Sequence, residues 1–299
     1  FLPVRCQTFR SALDGSARFL SIAKVVVGHV CSLAGHLKKA WHNGIMEVAR
    51  IAVISCTHSP HTPPETHDWI LRQLQEIRPT HFGHLGDLFD AEAASVHAQD
   101  SVHELEYEYE HAANFLRSLR EVLPPDCRRW INKGNHDSNI EAADPRRIPK
   151  ALRSLVHWSK HPKYGEEFNR WNWVEYEKSK RGTYCIGPCV FYHGFDCGLN
   201  SDETEGIQML MATGGHSWRI AIRGHTHRPV DPTQMFKTKK TPLPWWYMNV
   251  GTCGPLKPDY MSRKDTGLWG SAIGVIECKL ERPSRYAAKE FDAHLLRMN

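Results

Sequence analysis

The chain has 299 residues, 38 Lys plus Arg against 33 Asp plus Glu, and a formal net charge of +5. Its 41% hydrophobic and 24% charged content exclude a disordered chain, a collagen-like repeat and a coiled coil, and the length is ample for a sizeable core. A basic balance invites a polyanion partner, so where the charge sits matters.

The charge lies at the amino-terminal end. Residues 1–45 hold six basic groups and only Asp14 as an acid, which accounts for the whole +5. Residues 46–299 are therefore neutral, and nothing in their net charge argues for sequence-independent nucleic-acid binding. The first Met is Met46, directly ahead of a strand-like run. We read 1–45 as a non-domain extension (a leader or upstream read-through) and 46–299 as one domain. The apolar stretch Phe19 to Val30 is too short to span a bilayer and carries Lys24 and His29, so no membrane partner is expected.

Arg50 to Ser55 is a β-branched apolar run, the pattern of a buried strand, and a His- and Pro-rich loop follows it. Apolar residues at 70, 74 and 77 give Glu65–Arg78 one helical face, and Pro79 stops it. His81–Leu85 is a second strand. Leu105, Tyr109, Ala112, Leu116 and Leu119 mark a long helix over 100–122, whose glutamates read as a solvated face. Arg128–Asn132 is a third strand, and 149–158 reads as helical. Trp171, Trp173 and Tyr176 alternate as in an edge strand. Core packing is the preferred reading for them, with base stacking as the alternative. Strands are expected at 183–186, 189–192, 219–223, 245–250 and 273–279, with a helix at 205–213. Strands alternating with helices argue an α/β fold.

Nine cysteines are scattered without a CxxC pair, which points to a reducing, cytoplasmic compartment rather than a disulfide framework. Cys185, Cys189 and Cys197 are read as small buried hydrophobes.

Five of the loops that follow strands share one chemistry. They carry Cys56-Thr-His58, Gly86-Asp87-Leu-Phe-Asp90, Gly134-Asn135-His136-Asp137, His193-Gly194 and Gly224-His225-Thr-His227. Strand ends do not need carboxylates and imidazoles, each of which costs desolvation unless paired or ligated. A shared carboxylate with imidazole and amide donors suits a pair of cations.

In that order the motifs resemble the calcineurin-like metallophosphoesterase superfamily, whose pattern is DxH, GDxxD, GNH[DE], H and GHxH. The resemblance covers about residues 48–280 and extends to Asn249-Val-Gly-Thr252. With Tyr260, Trp269-Gly270 and the long helix, it is nearest to phage and bacterial members, which implies a bacterial or phage-infected cell. It implies a four-layer αββα sandwich of two mixed β-sheets flanked by helices. It also implies a dinuclear hydrolase of phosphomono- or diesters, with nucleotide or nucleic acid among the substrates and two divalent ions (Mn, Fe or Zn). Under the resemblance Asp87 bridges the ions. His58 and His227 bind the first, and Asn135, His193 and His225 bind the second. A metal-bridging hydroxide attacks phosphorus, while His136, oriented by Asp90, protonates the leaving group. His61 and Arg228 are candidates to meet an anionic substrate. A solvated loop position and a surface ion pair are their alternatives.

Cys56 departs from the pattern, because the family has Asp there. Three readings stay open: a thiolate ligand favouring a softer metal at the Cys56/His58 site, a weak or empty first site, or a non-catalytic binding module on the same fold. Oligomeric state is not legible in the sequence.

Overall fold

The computed structural model describes residues 48–94, 104–142, 156–214, 218–235, 244–258, 266–281 and 291–298. The expected extension at 1–45, most of the expected helix at 149–158, the first residues of the expected helix at 100–122 and Tyr260 lie outside them.

Two mixed sheets form the centre. In the first, β1 (Val48–Ile54), β2 (His81–His84), β3 (Arg128–Asn132) and β4 (Asn172–Val174) run parallel. β10 (Ala272–Lys279) pairs antiparallel with β1, and β11 (Phe291–Arg297) pairs antiparallel with β10. In the second, β6 (Cys189–Phe191), β7 (Ile220–Arg223) and β9 (Trp246–Val250) are parallel. β5 (Tyr184–Ile186) and β8 (Pro229–Gln234) are antiparallel edges.

Side-chain alternation sorts each strand between two cores. Ile51 and Val53 of β1 enter an inter-sheet core with Trp130, Phe191, Ile222 and Met248, whereas Ala52 and Ile54 point to the helical side. There α1 (Pro64–Ile77) contributes Ile70 and Leu74, and α2 (Leu105–Val122) contributes Tyr109, Leu116 and Leu119. On the far side of the second sheet, α5 (Ser201–Ala212) packs Met209 and Leu210 on Val190 and Ala221. The layers are therefore helix, sheet, sheet, helix. Gly83 on β2 faces the Trp130 ring, where an added Cβ would come to 2.2 Å. The glycine is needed for that close approach. Two further helices, α3 (Asn135–Ala142) and the single turn α4 (Gly165–Phe168), lie in the connections.

No helix among the described residues is long and apolar enough to cross a membrane. The tryptophans at 171 and 173 take the core reading: Trp171 is buried, and Trp173 packs on Phe89 and Trp158.

The solvated face of α2 needs a correction. Glu108 is fully buried, and its carboxyl accepts the N–H groups of Ala91 (2.6 Å) and Glu92 (3.1 Å). It thus ties the loop after β2 to the helix, which a periodicity argument cannot detect. Burial pushes this carboxyl up to about 8, against the pull of the two N–H donors. The folded state then holds a proton that the unfolded chain, with an ordinary value of about 4.3, releases. That contribution is complete below the unfolded value and is lost as pH rises through about 8. Urea titrations of wild type and Glu108→Gln should show a stability gap that narrows between about pH 5 and about pH 9. A gap that widens with pH would mean that the ionised form anchors the loop.

Candidate metal centre

The carboxyl ends of β1, β2 and β3 meet those of β6 and β7 at one rim, the expected place for a ligand in a parallel sheet. The loops after β1 and β2 are zipped by Cys56 N to Gly86 O (2.9 Å), His58 N to Asp87 O (3.0 Å) and Ser59 N to Leu88 O (2.8 Å). Cys56, His58, Asp87, His225 and His227 all take positive φ, between 47° and 69°. Non-glycine residues enter that region at a cost of order 1–3 kcal/mol each, and such strain concentrates at functional sites.

Asp87 is the hub. Its Oδ1 accepts the His136 N–H (3.0 Å), and its Oδ2 lies 3.1 Å from His193 Nε2 and 3.9 Å from His58 Nε2. A Cβ on Gly134 would sit 2.1 Å from Asp87 Oδ1, so only glycine leaves room for the carboxylate. Asp137 holds the loop from beneath, accepting the N–H groups of Asp87, Leu88, Phe89 and Gly134 at 2.8–3.1 Å. Burial, with Asp87's charge beside it, raises Asp137 to about 6. Burial also opposes ionisation of Asp87, yet His193, His136 and His58 outweigh it and keep its carboxyl well below the usual range.

The imidazoles are oriented from behind. His58 Nδ1 donates to Asp90 Oδ1 (2.8 Å), and His193 Nδ1 donates to Leu85 O (2.7 Å). Each thereby turns its Nε2 to the interior. His58 Nε2 meets His227 Nε2 at 3.2 Å. His193 Nε2 meets His225 Nδ1 at 3.1 Å and Asn135 Oδ1 at 3.2 Å. Burial holds His225 down at about 3 and His227 well below its ordinary value, so both are neutral, the form that ligates. His227 Nδ1 is buried without a hydrogen-bond partner among the described residues. Two sets of imidazole and amide donors thus gather around one carboxylate, an arrangement that fits divalent cations.

All of the expected ligands therefore converge. Groups able to hold an ion include Cys56/His58/His227 and Cys56/Asp87/His193. His136 lies against them, 4.7 Å from the His58 ring centre, with Nδ1 on the Asp90 carbonyl at 2.5 Å. The Asp90 carboxylate is 3.4 Å from His136 Nδ1 but closer to His58. Burial pulls His136 down, while Asp87 and the Asp90 carbonyl more than compensate and leave it raised. His61 pairs with Glu92 (3.2 Å) and lies 3.6 Å from Asp90. Arg228 reaches the carbonyls of Cys197 and Gly198 at 3.0 and 2.9 Å, which ties that loop to the loop after β7. Thr252 Oγ1 donates to Cys56 O, and Asn249 Nδ2 donates to Gly224 O and Thr226 Oγ1. The Asn249–Thr252 segment thereby clamps two of the motif loops. Trp269 sits edge-on to His227 at 4.2 Å, and Tyr176 stacks on Phe195 beside His193.

Sequence reasoning missed Cys197. Of the three neighbouring cysteines only Cys189 is fully buried, whereas Cys197 is exposed with Sγ 3.1 Å from His225 Nε2. It also missed the buried set Arg223, Asp202 and Glu205. Glu205 accepts the N–H groups of Phe195 and Asp196 and pairs with Arg223 at 3.1 Å, which fixes the loop after His193.

A family model described as calcineurin-like phosphoesterase matches residues 49–229. No curated protein matches the chain. Among solved structures, the E. coli phosphoesterase Yfce shares 11% identity over 84% of this chain and 100% of its own, with a TM-score of 0.37. Vacuolar protein sorting 29 of Cryptosporidium parvum shares 13%, over 84% and 98%, with a TM-score of 0.40. The Pseudomonas putida nuclease MPE shares 14%, over 75% and 84%, with a TM-score of 0.35.

Proposed function

The chain belongs to the calcineurin-like phosphoesterase family, and we propose on that premise that it hydrolyses a phosphomono- or diester with two divalent cations at the rim of the two sheets. The observation that carries this reading is the convergence of two sets of donor atoms on the single carboxylate of Asp87. His58 and His227 would hold one ion, and Asn135, His193 and His225 the other, with Asp87 shared between them. Bound there, the cations supply Lewis acidity for the phosphoryl oxygens and lower the pKa of water.

The chain's own groups do the rest. Asp137 and Gly134 fix where the Asp87 carboxylate lies. Asp90 fixes the tautomers of His58 and His136 through its carboxylate and its carbonyl. His136, with Nδ1–H committed to Asp90 O, has Nε2 left to pass a proton to the leaving oxygen. Nucleotides and nucleic acids fall within the substrate class, alongside small phosphoesters and phosphoproteins.

Chelator-stripped protein should lose hydrolysis of bis-p-nitrophenyl phosphate, p-nitrophenyl phosphate and a dinucleotide diester, and added Mn, Zn or Fe should restore it. Turnover that survives stripping would overturn the metal dependence, and a failure of every metal and ester would leave a binding module in the same crevice.

A further inference from the structure

Buried cysteines in this fold divide into two kinds. Cys127 and Cys253 belong to the core under the helices, and Cys189 and Cys278 to the inter-sheet core. Cys56 is as fully buried as Cys189, yet it joins none of the three apolar clusters of the described residues. Its surroundings are polar: Sγ lies 3.0 Å from Ser55 Oγ and accepts the His225 N–H at 3.3 Å. Its donor atom falls within 4.8 Å of those of His58 and His227, and likewise of those of Asp87 and His193.

The backbone points the same way. Cys56 takes φ 56°, its N–H and carbonyl are held by Gly86 and Thr252, and a Cβ on Gly224 would lie 3.6 Å from its sulfur. A hydrophobe filling space needs neither a strained backbone nor a ring of imidazoles. His227 belongs to the same cluster, with a buried ring whose Nε2 meets His58 Nε2 at 3.2 Å.

We propose that Cys56 is a ligand in its own right, completing with His58, His227 and Asp87 a four-donor site for a thiophilic divalent ion such as zinc, iron or cobalt. One sulfur, two imidazoles and a carboxylate make a donor set that suits tetrahedral zinc, and the thiolate disfavours magnesium and manganese. Binding releases the thiol proton to solvent as the metal–sulfur bond forms. The proposal rests on the hydrolase reading for the location of the cations, but it concerns which ion one of the two positions selects.

Cobalt(II) reports both points separately. Metal-free full-length protein is titrated anaerobically with cobalt and followed by absorption. The visible d–d bands report an ion bound by nitrogen and oxygen donors, and the near-ultraviolet charge-transfer band reports sulfur. Wild type should show both. Cys56→Ser and Cys56→Asp should keep the visible bands and lose the near-ultraviolet band. Cys197→Ser should keep both, which separates the buried sulfur from the exposed one. Visible bands without a sulfur band in wild type overturn the ligand proposal and leave the hydrolase reading standing. A sulfur band that persists in Cys56→Ser or vanishes in Cys197→Ser also overturns it. Absence of all cobalt bands overturns the hydrolase reading along with it. Competition gives a second readout. Cys56→Asp should move the zinc-to-manganese affinity ratio toward manganese by roughly tenfold or more, and an unchanged ratio counts against the proposal.

Discussion

His136→Ala is expected to slow hydrolysis of an alkyl phosphodiester by about 10²- to 10⁴-fold, the usual worth of a placed general acid. The loss on bis-p-nitrophenyl phosphate should be far smaller, because nitrophenolate is weakly basic and leaves without a proton. The contrast follows from the geometry of the ring. Its Nδ1 is spent on the Asp90 carbonyl, and its backbone N–H on Asp87 Oδ1. The imidazole is therefore fixed in place, with only Nε2 able to exchange a proton with substrate. Steady-state rates on the two esters check the point. Equal losses on both would mean that the ring serves binding or positioning, and that the proton comes from elsewhere. Metal content should be unchanged in the variant if the ions lie on the donors around Asp87, whereas a loss of metal would place an ion in the His58, Asp90 and His136 group instead.

The strand-end residues were legible because their chemistry conflicts with their setting. Asp87, His193, His225 and His227 end apolar runs that have no other use for them, and the structure brings all four together. The buried strands β1 and β7 read well because each centres on a short apolar run with a clear end. Edges read poorly. β8 has the sequence PVDPTQ, with two prolines and no apolar alternation, and it was not expected; its place at the margin of the second sheet explains how the prolines are tolerated. β11 is an edge strand too, and its pattern is mostly half-exposed. The helix α3 carries one buried hydrophobe, Ile140, so it has no periodic signal.

The supporting residues were hidden for a different reason. Glu108, Arg223 and Glu205 act through backbone N–H groups and ion pairs with segments distant in sequence. In a linear reading they are merely charges on helices and a strand. Cys197 follows His193 by four residues, a spacing that no metal motif predicts, and only the fold sets its sulfur on His225. Asp137 was visible as the last letter of a motif, but its four backbone partners were not.

Asp87→Asn separates folding from function most sharply. Without metal, the variant should lose only part of the stability that the histidines lend the ionised carboxylate, because three local terms offset the loss. Asparagine tolerates the left-handed φ of 53° at this position. Its amide oxygen can still accept the His136 N–H, and its amide nitrogen can donate toward His193 Nε2, 3.1 Å from the present Oδ2. The substitution also removes a charge that raises the buried Asp137 carboxyl beside it. With metal the gap widens. An ion present at 100 times its Kd stabilises the wild type by about 2.7 kcal/mol, and that increment depends on the shared carboxylate. Thermal melts with and without zinc or manganese should show the metal-induced rise in Tm in wild type and little or none in Asp87→Asn. Turnover should fall by about 10³-fold or more, since several kcal/mol of charge stabilisation would go with the cations. A variant that keeps the metal-induced rise would show that the two ions are held independently of Asp87, and the shared-carboxylate reading would fail. A variant that is strongly destabilised before any metal is added would instead give Asp87 a structural role in closing the loop after β2.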